Sequence, residues 1–183
     1  AVEWRVINAA EYGMPQRRRR VFFIGYHKST DVYKRLQKSN KTDWLTEKGT
    51  IANAFPVAKT NSIQEVELKG DLVEITNDFN KNGKLSPFQN TGLLIKGKVY
   101  TTKTVPNYDG KRTVLGDVLQ NGEVTSEFFI DEKDKDKWEY LKGAKTIERK
   151  SPDGFVYKYS EGGMIYPDAL DNASRTIITG EGG

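Results

Sequence analysis

The run Tyr12-Gly13-Met14-Pro15-Gln16-Arg17-Arg18-Arg19-Arg20-Val21-Phe22-Phe23-Ile24-Gly25 constrains this chain more than any other stretch. Four consecutive arginines follow a Gly-Met-Pro-Gln turn and lead directly into an apolar strand. Successive side chains of a strand point to opposite faces. Arg18, Arg20, Phe22 and Ile24 therefore share one face, and Arg17, Arg19, Val21 and Phe23 the other. Two guanidinium groups are expected to point toward whatever Phe22 and Ile24 pack against. Burying arginine without partners is costly, so the pattern asks for carboxylates, phosphates or a polar ligand there.

The 183 residues suit one large domain or two small ones. With 36% hydrophobic and 30% charged residues the chain can bury only a modest core, yet its aromatic content argues against disorder. A net charge of +4 favours anionic partners mildly. Cysteine is absent, which excludes disulfides, thiolate metal sites and cysteine nucleophiles within these residues. The single His27 argues against a histidine metal cluster or a Ser-His-Asp triad. No apolar run approaches the ~20 residues of a membrane span. The expectation is a cytoplasmic protein with no metal and no membrane partner. Both ends read as cut from something longer.

Val2, Trp4 and Val6 alternate with Glu3 and Arg5 as in a strand, and residues 19–26 form a second strand, as an antiparallel hairpin or adjacent pair. Residues 30–36 suit a short helix, 37–43 a loop, and 50–56 one helical turn stopped by Pro56. Residues 66–75, 92–102 and 128–130 read as β segments, with Asn82-Gly83, Asp109-Gly110 and Asn121-Gly122 as hairpin signals. A helical turn is expected over 114–119, a short exposed helix over 131–141, and a strand after the Asp153-Gly154 turn. The fold class is α+β: an irregular, mostly antiparallel β domain with small helices.

The segment from Asn8 to Gly25 resembles the Gln-x-Arg-x-Arg block of DNA (cytosine-5) methyltransferases. More loosely, Glu161-Gly162-Gly163-Met164 to Pro167-Asp168, Asp171, Ser174-Arg175-Thr176 and Glu181-Gly182-Gly183 resemble the segment where bacterial members leave their target-recognition region. The resemblance implies three parts. Residues 1–27 would be the C-terminal edge of the catalytic domain, 28–173 the target-recognition domain, and 174–183 a return toward the catalytic domain. Methylating C5 of cytosine requires a flipped base held in a pocket. A cation near O2 stabilises the charge that builds on the ring. By resemblance, Arg20 contacts the cytosine and the catalytic glutamate, Arg18 braces neighbouring groups, and Gln16 holds the loop. The family's Pro-Cys nucleophile, its Glu-Asn-Val block and its Gly-rich S-adenosylmethionine block do not occur here. The resemblance thus implies part of an active site, inert alone, in a restriction-modification type parent that uses S-adenosylmethionine. The chain itself would bind no cofactor, and its partners would be double-stranded DNA and the catalytic domain of the same parent chain.

Arg17 and Arg19 fall on positions the family leaves variable, and suit phosphate contacts or solvated charges. The stretch from Trp138 to Lys150 reads either as a DNA-reading loop offering Lys142, Lys145, Arg149 and Lys150 near Gly143, or as a helix end with solvated lysines. Trp138, Tyr140 and Leu141 are expected in the core. Thr101, Thr102 and Lys103 read as an edge strand rather than phosphate contacts. Ser174, Arg175 and Thr176 suit either a phosphate or sugar contact or a structural turn. A free-standing basic nucleic-acid-binding module without catalysis is the alternative, with a scaffold that binds no nucleic acid behind it.

Overall fold

The computed structural model describes residues 1–79, 81 and 87–176. The chain divides into two compact units, Ala1–Arg112 and Thr113–Gly183. Asn82-Gly83 and the tail 177–183 lie outside the described residues.

The first unit is built on an antiparallel sheet of five strands in the order β2-β1-β4-β5-β3. They are β1 (Val2–Asn8), β2 (Arg19–Gly25), β3 (Gln64–Glu67), β4 (Thr91–Ile95) and β5 (Lys98–Thr102). β1 and β2 pair over their full length, from Val2↔Gly25 to Asn8↔Arg19. The expected β segment 92–102 is two strands. Lys96 and Gly97, at φ of 51° and 74°, form a two-residue turn between them, whose positive φ angles match hairpin twist. Of the expected segment 66–75 only the start is strand. Asp71 then caps the helix α4 (Leu72–Asp78), its carboxylate accepting from Val73 and Glu74 N–H. A capping box at Asp71-x-x-Glu74 outweighs the β propensity of Val73 and Ile75.

One face of the sheet is covered by α1 (Asp31–Lys38), α2 (Lys41–Asp43), the π-helical turn Trp44–Lys48 and α3 (Thr50–Ala54). Residues 37–43, expected as loop, are thus partly helical. The Asn40 side chain accepts from Thr42 and Asp43 N–H to start α2. Lys41 Nζ donates to the carbonyls of Leu36 and Ser39 at the end of α1. Leu36, Trp44, Leu45, Leu93 and Ile95 form the main core, joined by Tyr26 and flanked by Ile24.

The alternation of β1 holds, but the buried face is the charged one. Glu3, Arg5 and Ile7 are buried, whereas Trp4 and Val6 are only half-buried. Directly paired residues share a face, so Ile24, Phe22 and Arg20 lie on this same covered side, opposite Glu3, Arg5 and Ile7. On the other face Trp4 lies over Gly92 and against Phe88, ring centroids 5.2 Å apart.

The second unit holds a two-stranded sheet of β6 (Lys145–Lys150) and β7 (Val156–Glu161), preceded by α5 (Lys135–Lys142) and 3-10 turns at Leu115–Val118, Ser126–Phe128 and Glu132–Asp134. Residues 128–130 form no strand, and neither Asp109-Gly110 nor Asn121-Gly122 joins paired strands. Both stand beside segments with no partner strand, and a turn signal alone builds no hairpin. The Asp153-Gly154 turn does close one: Gly154 takes a φ of 89° and Ser151 N–H donates to Phe155 O at 2.8 Å. Trp138 is half-buried while Tyr140 and Leu141 are exposed, which corrects the expectation of a core position. α5 is too short and too charged to bury a full apolar stripe.

Candidate functional site

The arginine run leaves a rigid turn. A 3-10 turn over Ala9–Tyr12 ends at Gly13, where φ is +88° and a Cβ would lie 2.5 Å from the Lys111 carbonyl oxygen. Only glycine fits there. Tyr12 is buried, donates from its hydroxyl to Pro56 O at 3.1 Å, and packs edge-on against Phe55. Ala9 N–H donates to Arg18 O at 3.0 Å and closes the neck of the loop.

From this neck Arg17, Arg18, Arg19 and Arg20 all emerge exposed. Arg18 precedes β2 rather than lying in it. Arg20 is on the covered side of the sheet by register, but the helical layer reaches only as far as Phe22, whose ring is 5.9 Å from Phe55. The expectation that Arg18 and Arg20 are enclosed with Phe22 and Ile24 is therefore corrected. Among the described residues Arg18, Arg19 and Arg20 form no ion pair, and Arg20 Nη1 donates only to the Arg19 carbonyl, at 2.7 Å. Gln16 is half-buried in the turn.

Beside the run lies a cleft of about 360 Å³ lined by Arg5, Asn8, Glu11, Tyr12, Arg19 and Lys103, among others. Buried at its wall, Arg5 Nε and Asn8 Oδ1 have no hydrogen-bond partner among the described residues. Arg5 is otherwise held by the carbonyls of Phe55, at 2.9 Å, and Leu45. Glu3, two residues away on the same face, accepts from Tyr26 Oη at 2.6 Å and Trp44 Nε1 at 3.0 Å. Burial pushes the Glu3 carboxyl above its ordinary pKa, and the tyrosine, tryptophan and arginine contacts oppose that shift. The sequence carried no local signal for this buried pair, because Tyr26 and Trp44, which bond Glu3, and the Leu45 and Phe55 carbonyls, which bond Arg5, lie at least 23 positions away.

Thr101 and Thr102 are buried in β5, which is an interior strand, so neither touches a phosphate from the surface. His27 is local structure: its Nδ1 is 2.8 Å from Ser29 Oγ.

In the second unit the expected cations divide. Lys142 is buried, with its ammonium 5.0 Å from the Trp138 ring, and so is not presented as a surface contact. Lys145 pairs with Glu161 at 2.7 Å and also donates to Leu141 O. Arg149 is exposed, but its guanidinium lies 3.6 Å from the Tyr159 ring centroid. Ser174, Arg175 and Thr176 are half-buried, and Arg175 is held by Asp168 through both its N–H and its side chain.

Charge is unequally shared. Residues 1–112 carry twenty Lys and Arg against eleven Asp and Glu, whereas residues 113–183 carry nine against fourteen. The first unit is thus strongly basic, and its arginine turn is the densest part.

A family model for the C-5 cytosine-specific DNA methylase matches residues 1–181. The chain belongs to this family. Type II methyltransferase M.Sau3AI of Staphylococcus aureus is 37% identical over 183 residues, covering 98% of this chain and 43% of that relative. The chain therefore spans less than half the length of the curated relative it matches. No solved structure matches it. Membership of the C-5 cytosine-specific DNA methylases agrees with the resemblance carried by Asn8 to Gly25. Among the described residues there is no group of His, Cys, Asp and Glu able to hold a metal ion, and no helix long and apolar enough to cross a membrane.

Proposed function

We propose that this chain is the DNA-recognising part of a cytosine-5 methyltransferase of the restriction-modification type, acting on double-stranded DNA in the bacterial cytoplasm. Residues 1–27 form the edge of its catalytic domain, 28–173 its target-recognition domain, and 174–183 the return toward the catalytic domain. One observation carries the reading: Arg18, Arg19 and Arg20 stand exposed where the turn enters β2, with no ion-pair partner among the described residues. Consecutive cations left without ion pairs in this way suit an anionic partner, here the duplex and the electron-rich ring of a flipped cytosine.

In this reading Arg20 points its guanidinium at the cytosine, where it stabilises charge that grows on the ring as a nucleophile adds. Arg18 braces neighbouring groups of the pocket, and Gln16 fixes the turn. Arg19, on the opposite side of the strand from Arg20, and Arg17, before the strand begins, meet phosphates. Ser174, Arg175 and Thr176 line the return beside the flipped base. The buried Lys142 supports α5 rather than touching DNA.

The nucleophile and S-adenosylmethionine belong to residues outside this chain. There is no cysteine. S-adenosylmethionine supplies the methyl group when bound elsewhere. By itself the chain is inert.

The test is Arg20→Ala in the intact enzyme, read as methyl transfer to DNA. We expect kcat to fall by about 10²–10³-fold, the loss typical of a preorganised donor to developing charge. Unchanged kcat overturns the role of Arg20.

A further inference from the structure

The β6–β7 hairpin is a two-stranded ribbon with two unlike faces. One carries Lys145, Ile147, Arg149, Tyr157, Tyr159 and Glu161, and it is occupied with itself. Lys145 pairs with Glu161, Arg149 lies on Tyr159, and Tyr159 donates to Glu161. The other face carries Thr146, Glu148, Lys150, Val156, Lys158 and Ser160, all exposed. Its only internal side-chain bond is between the Thr146 and Ser160 hydroxyls, 3.1 Å apart. Glu148 sits directly across from Lys158, yet the two make no ion pair, and Lys150 makes none among the described residues.

Charge says what this face meets. The second unit is acidic as a whole, with nine Lys and Arg against fourteen Asp and Glu. Over the hairpin 145–161, however, four Lys and Arg stand against Glu148, Asp153 and Glu161, and on the exposed polar face Lys150 and Lys158 stand against Glu148 alone. The polar face of the ribbon is thus net positive in a unit that is net negative. A two-stranded ribbon is of a size that enters the major groove of B-DNA. A carboxylate near a phosphate backbone is repelled unless it accepts a base donor, and the cytosine amino group is the usual partner of glutamate.

We propose that the polar face of the β6–β7 ribbon reads base edges in the major groove, with Glu148 accepting from a cytosine amino group and Lys158 and Lys150 donating to neighbouring acceptors. This rests on the DNA-recognising role proposed above. It moves the reading residues away from Lys142, Lys145 and Arg149, which are buried or engaged, to the opposite face of the same hairpin.

The experiment maps methylated cytosines on plasmid DNA by bisulfite sequencing, using the intact enzyme and its Glu148→Gln and Lys158→Ala variants, with binding to non-target duplex measured alongside. Glu148→Gln is expected to relax the sequence context at one position by about tenfold or more, while binding to non-target duplex stays level or rises. Lys158→Ala is expected to relax context and to weaken non-target binding. Because both side chains are exposed, folding of the variants is checked by an unchanged amide-exchange pattern without DNA. In the wild type, DNA is expected to protect amides of 145–161 from exchange. An unchanged methylation context in both variants overturns the ribbon assignment while leaving the recognising role standing. A wild-type enzyme that methylates no cytosine overturns that role and this inference together.

Discussion

The Glu3 carboxylate accepts a 2.6 Å hydrogen bond from the Tyr26 hydroxyl, 23 positions along the chain and fully inside the first unit. That bond joins the start of β1 to the residue just after β2. With Trp44 as second donor and Arg5 beside it, it places an ionisable pair where an apolar pair is usual. The first predictions follow from it.

Removing the Glu3 carboxylate leaves the buried Tyr26 hydroxyl and Trp44 N–H without their acceptor and Arg5 without its nearby opposite charge, at a cost of about 1–3 kcal/mol per unmet group. Glu3→Ala should therefore lower unfolding stability by at least that amount, read as a shift of the urea midpoint. A change under about 1 kcal/mol would show that Arg5 is balanced by the Phe55 and Leu45 carbonyls alone.

Burial, and then the bond to Glu3, push the Tyr26 phenol up to about 12. Its folded pKa lies above the unfolded value near 10, so the stability it contributes is complete below pH 10 and is lost as pH rises through about 12. The advantage of the wild type over Tyr26→Phe should therefore be constant from pH 7 to 9 and shrink from pH 10 upward. Urea unfolding across that range measures it, and a pH-independent difference would refute the coupling.

Gly92 is opposite Trp4 in the β1–β4 register, and a Cβ there would overlap the indole ring. Gly92→Ala should destabilise the first unit by about 1–3 kcal/mol through overpacking. Near-UV circular dichroism should also report a displaced tryptophan. The same substitution at Gly25, which has open space around it, should not disturb packing.

Arg18→Ala and Arg20→Ala should leave stability within about 0.5 kcal/mol, as for exposed side chains without ion pairs among the described residues. Thermal unfolding checks this. A loss of methyl transfer at unchanged stability separates a functional arginine from a structural one.

Much of this was legible in the chain. The Gly-Met-Pro-Gln turn, the strand after it, the Thr30 cap of α1 and the Asp153-Gly154 turn are local features, and each has the form its residues favour. What failed was non-local. Period-two alternation in β1 shows two faces without saying which one is covered. Glu3 and Arg5 were buried by Trp44, Tyr26 and two distant carbonyls. Likewise, nothing local to Lys142 or Lys145 shows that one would be buried and the other tied to Glu161. The candidate arginines were legible as a motif, but their exposure was not, because it depends on where the helical layer stops.

β2 is an edge strand whose outer side leaves Val21 and Phe23 exposed, at 50% and 69%. An uncovered apolar edge is a template on which a second copy adds as a further strand. Arg19 and Arg20 open that strand, and on two antiparallel copies they would sit at opposite ends, guarding only the margins of the contact. Their mutual repulsion across copies is screened as salt rises, the Debye length shrinking to about 3 Å at 1 M. Wherever this edge is left bare, colloidal stability should therefore decline as salt is added. The same arginines that suit the chain to a polyanion would then also oppose its self-association at low salt.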